Sequence, residues 1–174
     1  NVYSSWDIQI ATIKSEADVI SMKNGKFAEM DYQILKAFGY DLKVRYSYIV
    51  SQIGKIEASS TLSPEYSAEN LFDRDENKTW RPAADDKEPE LIITLSEKDM
   101  FDRIIMAEHI VNGQHVEEYE FYVDEGNGKF KKVGKGGVVG YKRIHKIAPV
   151  EVTRIKVKFT SYRGNLELQT LLMY

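Results

Sequence analysis

Residues 104–143 read IIMAEHIVNGQHVEEYEFYVDEGNGKFKKVGKGGVVGYKR, which is two or three apolar segments joined by glycine-rich connections. The connections at Asn112-Gly113, Gly126–Gly128 and Gly136-Gly137 are typical of turns. The same residues include two of the three histidines and several charges that an ordinary strand does not need. We therefore expect antiparallel strands that also carry functional side chains.

The pattern of short strands and turns extends over residues 51–174. It predicts about eight strands: Lys55–Ser59, Glu90–Leu95, Phe101–Glu108, Val116–Val123, Lys129–Val133, Val138–Ile144, Arg154–Thr160 and Leu166–Tyr174. In the strand at 154–160, the alternation predicts that Ile155, Val157 and Phe159 face the core. Many short strands with almost no helical periodicity favour a mainly β fold, an antiparallel β-sandwich or barrel.

Residues 1–50 have a different pattern and are predicted to form a helix-containing linker segment. Ile8, Ile10 and Thr12 alternate with polar residues, and Ser15 is a candidate N-cap for a first helix. Asn24-Gly25 interrupts that helix or marks a turn. Apolar residues then recur at helical spacing from Phe27 to Phe38 with Gly39 as the predicted cap, and a strand is predicted over residues 42–50.

Composition excludes several classes of function. The 27 acidic and 24 basic residues nearly balance, which gives no electrostatic case for nucleic acid as a partner. No run of about 18 apolar residues exists, so no membrane-inserted helix is expected. The absence of cysteine excludes disulfides and thiolate chemistry. The chain begins at Asn1 without a signal sequence, and we interpret it as a processed chain or a piece of a longer one.

Specific motifs occur in a fixed order along residues 55–174. They are AENLFDRDENKTW, ELIITL, FDRIIMAEHIVNGQHVEEYEFYV, GYKRI, VTRIKVKF and LELQTLLMY. Their order resembles the discoidin-like (coagulation factor type C, galactose-binding-like) sandwich, most closely the one at the C-terminus of bacterial α-L-fucosidases. The matched positions are Asn70, Leu71, Asp73, Asp75, Thr79, Trp80, Glu108, Gly113, Gln114, Val116, Gly140, Lys142, Arg143 and Tyr174. Ser15–Val19 also resembles part of the helix that links the fucosidase barrel to its sandwich.

This resemblance implies a non-catalytic carbohydrate-binding or supporting module of a glycoside hydrolase that is secreted, periplasmic or at the cell surface. The expected partners are a galactose- or fucose-containing glycan and the catalytic domain of the parent enzyme. Recognition of a sugar needs planar polar groups for the hydroxyls and an aromatic face. The candidate ligand-binding residues are Glu108, His115, Tyr141, Lys142, Arg143 and Trp80. His145 is predicted to be a surface residue.

Each candidate has a structural alternative. Trp80 is either a sugar-stacking residue or a core anchor beneath its loop. Glu108 either contacts a ligand or forms an inter-strand ion pair with Arg143 or Lys142. The sequence alone leaves these alternatives open.

The resemblance also implies a structural Ca²⁺ in the loop before Trp80, with Asp73, Asp75 and Thr79 as candidate ligands. Three positions depart from the family pattern: Arg74 replaces a glycine, His115 replaces an arginine, and Thr170 replaces a glutamate that completes the calcium site. The alternative is an empty turn held by its own hydrogen bonds. Glu167 or Gln169 could compensate for the missing glutamate.

Catalysis by this chain is not expected. Glycoside hydrolysis needs two carboxylates across one pocket, which the fucosidases place in a separate barrel. No G-x-S-x-G, H-E-x-x-H, P-loop or dinucleotide motif occurs in the sequence. Two other functions remain: a purely structural sandwich that supports a catalytic domain, and a cell-surface adhesion module. Adhesion would need exposed apolar residues at the loop tips, whereas these loops are predicted to be polar.

Overall fold

A computed structural model describes residues 22–23, 26–27, 29–45, 53–73, 75 and 77–174 of the 174-residue chain. The chain divides into two compact units, residues 1–47 and residues 48–174. Within the described part of the chain, no helix is long and apolar enough to cross a membrane.

Among its described residues, the first unit contains a small hairpin and a helix. Strand β1 (Met22–Lys23) pairs antiparallel with strand β2 (Lys26–Phe27), and helix α1 runs from Glu29 to Arg45. The predicted strand at 8–12, the helix at Ser15 and the turn at Asn24-Gly25 lie outside the described residues.

The predicted helix end at Gly39 and the strand that follows it are wrong over residues 39–45. Helix α1 continues through Gly39 to Arg45, so Leu42 and Val44 are helical. Gly39 does not adopt the positive φ of a helix cap. A glycine inside an exposed helix costs only about 1 kcal/mol relative to alanine, which is not enough to end a 17-residue helix. Residues 46–50 of the predicted strand lie outside the described residues.

The second unit is an antiparallel β-sandwich, as predicted. Its strands are β3 (Ile53–Ala58), β4 (Glu90–Glu108), β5 (Val116–Asp124), β6 (Lys131–Gly136), β7 (Arg143–Tyr162) and β8 (Leu168–Met173). Short 3₁₀ helices lie at Pro64–Tyr66, Ala68–Phe72 and Ile110–Asn112. The strand order is β3-β4-β7-β5-β6, and β8 also pairs with β4.

Strands β4 and β7 are longer than the sequence predicts. The strands predicted at 90–95 and 101–108 form one 19-residue strand, β4. The polar residues 96–98 lie inside this strand, where the register with β7 shifts between Thr94 and Asp99. The first half of β4 pairs with β3 and its last residues pair with β8. This change of partner lets the sheet close around one core.

The strand predicted over 138–144 is wrong for residues 138–142, which form a loop between β6 and β7. Gly140 in this loop has φ 63°, a conformation that favours glycine. Its backbone N–H donates to the Glu108 carboxylate, and its C=O accepts the backbone N–H of Glu108 at the end of β4.

The predicted alternation in β7 is confirmed. Ile155, Val157 and Phe159 are fully buried, whereas the basic residues between them pair with acidic groups on neighbouring elements. The core includes Trp80, Leu91, Ile93, Tyr119, Phe121, Leu168, Leu171 and Met173.

Candidate functional site

Trp80 is a core anchor. Its ring is 0% exposed and lies 5.9 Å from the ring of Phe159, and its Nε1–H donates to the carbonyl of Ser60 at 3.2 Å. No face of the ring is open to a sugar, so the prediction of Trp80 as a ligand contact is wrong. The buried alternative is the one found in the structure.

Glu108 is a buried hub for backbone groups. Its side chain is 1% exposed, and Oε1 accepts the N–H of His115 at 2.6 Å and of Val116 at 2.8 Å. The other oxygen, Oε2, accepts the N–H of Gly140 at 2.6 Å. The two loops that follow β4 and precede β7 are therefore joined through one carboxylate. Because that carboxylate is enclosed, Glu108 positions these loops and has no open surface for a ligand.

The predicted ion pair of Glu108 with Lys142 or Arg143 is also absent among the described residues. Tyr141, Lys142 and Arg143 are exposed, with Tyr141 at 74%. They share the end of the sandwich with Glu108, since they directly follow Gly140.

His115 connects two loops through its ring. Nδ1 lies 2.8 Å from the carbonyl oxygen of Arg163, and Nε2 lies 3.1 Å from that of Asn112. A neutral imidazole donates only one of these hydrogen bonds, and an imidazolium donates both. His145, predicted to lie at the surface, is half-buried, and its ring packs 4.9 Å from that of Phe121. Burial, with the charge of Arg143, lowers the pKa of His145.

The loop tip at 110–111 is apolar, contrary to the expectation of polar loops. Ile110 is 45% exposed and Val111 is 81% exposed. Both belong to the 3₁₀ helix that directly follows His109.

The predicted calcium ligands do not converge in the described residues. Asp73 and Asp75 are exposed, and Asp73 Oδ2 accepts from Lys78 Nζ at 2.6 Å. Asp75 and Asn77 donate their backbone N–H groups to the carboxylates of Asp73 and Asp75, as in an Asx turn. Thr79 is buried and points elsewhere: its hydroxyl donates to Glu167 and its carbonyl accepts from Asn70.

This donor set does not fit a divalent cation, because an ammonium group already neutralises Asp73 and the hydroxyl of Thr79 is committed to Glu167. The described residues contain no group of three or more acidic, histidine or cysteine side chains that could hold a metal. Calcium binding stays a prediction, and the hydrogen-bonded turn is the alternative that this geometry favours.

Glu167 is the centre of a second buried network, which joins three loops. Its side chain is 3% exposed, and Oε1 accepts from Thr79 Oγ1 at 2.8 Å and lies 3.0 Å from His109 Nδ1. Its Oε2 accepts from Asn112 Nδ2 at 2.8 Å and pairs with the Arg81 guanidinium at 2.7 Å. Burial alone would raise the pKa of Glu167, but the hydrogen bonds from Arg81, Asn112, His109 and Thr79 outweigh it and lower the pKa to about 2.

Local backbone pairing explains why Thr79 and Arg81 both reach Glu167. Trp80 and Leu168 exchange two backbone hydrogen bonds, of 2.8 and 3.0 Å, in an isolated antiparallel bridge. Thr79 and Arg81 flank Trp80, and Glu167 precedes Leu168. Side chains that alternate along an extended segment point to opposite faces, so the two neighbours of Trp80 point away from the core that its ring enters.

Arg81 also forms one wall of a cleft of about 250 Å³. The cleft lies between the loop after Trp80 and the loop between β7 and β8, and it is lined by Leu62, Arg81, Pro82, Ala83, Ala84, Tyr162, Gly164, Asn165 and Leu166. The Arg81 guanidinium stacks on Tyr66, with 4.3 Å from Cζ to the ring centroid. The Tyr162 hydroxyl donates to the carbonyl of Asp86, which fixes its ring in the cleft wall.

The Arg81 guanidinium is partly enclosed and partly open to the cleft. Its side chain is 23% exposed, and its buried Nε–H has no hydrogen-bond partner in the described part of the chain. A guanidinium carries five N–H groups, and the contact with Glu167 is made by one terminal nitrogen. The cleft wall therefore offers hydrogen-bond donors beside apolar carbon.

The sequence patterns did not identify this cleft. A charged residue between two buried leucines, Leu166 and Leu168, was the available signal for Glu167, since a buried acid needs a cluster of donors. Tyr162 gave no signal, because its alternation fits an ordinary strand end.

A family model for the F5/8 type C domain matches residues 55–170. No curated protein sequence matches the chain. The matched range includes the buried glutamates Glu108 and Glu167 and ends four residues before the last residue of the chain.

Solved structures share the fold. A Ruminococcus gnavus GH29 fucosidase in complex with fucose superposes with a TM-score of 0.71 at 20% identity, over 86% of this chain and 31% of that one. The CBM32-1 and CBM32-2 domains of Clostridium perfringens ZmpB give 0.68 at 20% identity, over 79% and 38%. A chitosan-binding module from Paenibacillus sp. IK-5 gives 0.65 at 14% identity, over 74% and 99%. The chain thus spans about a third of the fucosidase and about the whole length of the single module.

Proposed function

Because the chain belongs to the F5/8 type C domain family, whose members are typically non-catalytic, we propose that it is a carbohydrate-binding module that uses the cleft beside Arg81. One observation carries this proposal: the partly exposed guanidinium of Arg81, held in place by Glu167 and Tyr66, lies in the same cleft as Leu62, Pro82 and Tyr162. Sugars present hydroxyl groups around their ring edges and C–H groups on their ring faces, and the cleft offers a partner for each.

The residues of the cleft divide this task. The ring of Tyr162 and the carbons of Leu62 and Pro82 would cover the apolar face of a sugar. Arg81 would donate to sugar oxygens, and the exposed Asn165 side chain can donate and accept. A volume of about 250 Å³ suits one or two sugar rings better than a long oligosaccharide lying lengthwise.

We further propose that the module serves an α-L-fucosidase-like glycoside hydrolase that is secreted, periplasmic or at the cell surface. Support comes from fucosidase structures, such as the Ruminococcus gnavus GH29 fucosidase, that share its fold and are about three times its length. A module tethered to a catalytic domain raises the effective concentration of its glycan there. The candidate ligands are galactose- or fucose-containing glycans.

Calorimetric titration with galactose, fucose and N-acetyllactosamine tests the proposal. Saturable binding that falls at least about 10-fold in Arg81→Ala and Tyr162→Ala would support the cleft. Tyr141→Ala and Arg143→Ala are the matched controls, because both residues are exposed, lie outside the cleft and belong to the site predicted from the sequence. Loss of binding in these controls, with the cleft variants unaffected, would move the site to that loop.

A purely structural sandwich is the second candidate. The observation in its favour is that Glu108 and Trp80, two of the predicted sugar-binding residues, are enclosed and serve the fold. No saturable response of the wild-type chain to any sugar, in calorimetry and in thermal shift, would favour this function.

A further inference from the structure

Glu167 does more than hold loops together, because it also sets the charge of the cleft. Among the residues that line the cleft, Arg81 alone carries a charge at neutral pH. Its guanidinium lies 2.7 Å from Glu167 Oε2, and the low pKa of Glu167, about 2, keeps that carboxylate ionised throughout the physiological range. The charge of Arg81 in the cleft wall is therefore balanced by that of Glu167.

The two charged groups differ in their access to the cleft. Glu167 is 3% exposed and lies behind Arg81, enclosed by Thr79, His109 and Asn112. Arg81 is 23% exposed and faces the cleft. A ligand would therefore meet the donors of Arg81, while the charge of Arg81 is already compensated.

We propose that Glu167 is a specificity-determining residue, which makes the cleft select uncharged sugars over sugars that carry a carboxylate. The inference rests on the proposed function and adds the ligand class. A free guanidinium binds a carboxylate through two charge-assisted hydrogen bonds. An arginine already paired with Glu167 gains little from a second carboxylate, and bringing two anions to one cation adds their mutual repulsion. Neutral hydroxyl groups carry no such cost.

The test compares neutral and anionic forms of one sugar, galactose and galacturonic acid, by calorimetric titration at pH 7. We expect the wild type to bind galactose more tightly than galacturonic acid. In Glu167→Gln the arginine loses its compensating charge while the carboxamide keeps the size of the side chain. The ratio of the two affinities should shift toward galacturonic acid by about 10-fold, a difference of about 1.4 kcal/mol.

Two controls separate charge from damage to the fold. Asn112→Ala removes another donor to Glu167 without changing any charge, and the affinity ratio should stay at the wild-type value. Asp124→Asn disturbs the other buried carboxylate–arginine pair, with Arg154 in the sheet, and should lower the unfolding midpoint with the ratio unchanged. An equal shift in these controls, or no shift in Glu167→Gln, would overturn the inference.

A second variant serves if Glu167→Gln does not fold. Arg81→Gln leaves the carboxylate beside the cleft, and binding should shift toward glucosamine, a cationic sugar, relative to N-acetylglucosamine. Failure of the proposed function has a different signature: the wild type binds neither sugar. In that case a gain of galacturonic acid binding by Glu167→Gln would still support the charge assignment, and no gain would reject it.

Discussion

Glu108 and Glu167 are two buried glutamates in the same sandwich, yet they organise opposite kinds of partner. Glu108 accepts three backbone N–H groups from loops beside β4, whereas Glu167 accepts side-chain donors from residues as far as 88 positions away. A carboxylate that binds backbone fixes the path of the chain. One that binds side chains fixes the groups that a ligand would meet. Burial alone therefore does not distinguish a residue that stabilises the fold from one that positions the side chains of a binding site.

The largest expected effect is the loss of the Glu108 carboxylate. Glu108→Ala leaves three buried backbone N–H groups without an acceptor, and we expect the free energy of unfolding to fall by about 4 kcal/mol. Urea unfolding followed by tryptophan fluorescence measures it. Glu118→Ala, at an exposed position of the neighbouring strand β5, is the control and should change stability by less than about 0.5 kcal/mol. Similar values for both variants would show that Glu108 is not a hub.

Glu167→Gln should cost less, because the carboxamide oxygen still accepts some of the same donors. We expect a loss of about 3 kcal/mol at pH 7, chiefly because Arg81 keeps a partly buried charge without its partner. The same unfolding experiment gives the value. A loss larger than that of Glu108→Ala would invert the comparison between the two carboxylates.

Acid should separate wild type from Glu167→Gln in a defined direction. The pKa of Glu167 is lowered in the folded chain, from an ordinary 4.5 to about 2, so its stabilisation is complete above about pH 4.5 and is lost as the pH falls toward 2. The difference in unfolding free energy between wild type and variant should be about 2 kcal/mol smaller at pH 3 than at pH 7. A difference that does not depend on pH would mean that the hydrogen-bond donors do not lower the pKa of Glu167.

Single donors to Glu167 should have smaller effects. Asn112→Ala removes one hydrogen bond to a charged group, from a side chain at the loop surface, and should cost about 1 kcal/mol. Thr79→Val keeps the shape of a more deeply buried side chain and should cost somewhat more. Thermal unfolding of both variants measures the two losses of stability. A larger loss in Asn112→Ala than in Thr79→Val would show that the donor from the exposed loop contributes more than the buried hydroxyl.

The smallest expected effect concerns the acidic loop. If the hydrogen bonds of the loop before Trp80 stabilise it without a metal, Ca²⁺ should not change the unfolding midpoint of the wild type. The midpoint should be the same in about a 5-fold molar excess of chelator over protein as in added Ca²⁺. Asp73→Asn should likewise leave the midpoint within error, because its ion pair with Lys78 is exposed. A midpoint that rises with Ca²⁺ in the wild type and not in the variant would establish the predicted calcium site.

Local patterns were sufficient for most of the sandwich and insufficient for the cleft. The alternation in β7 predicts its buried residues, and the glycines at 113, 126, 128 and 164 adopt the positive φ expected of turns. The merged strand β4 was missed because a shift in register hides polar residues inside a continuous strand. Arg81 and Glu167 could not be paired from sequence, since only the bridge between Trp80 and Leu168 brings them together.

Strand β8 also constrains the order in which the domain can fold. Leu168, Leu171 and Met173 are fully buried, and they pair with the end of β4, at least 60 positions earlier in the sequence. Contacts between such distant segments form slowly, because a long loop must close before they contribute any stability. During synthesis, therefore, the sandwich cannot close until residues 168–173 have left the ribosome, and until then the edge of β4 is open to pairing with other chains.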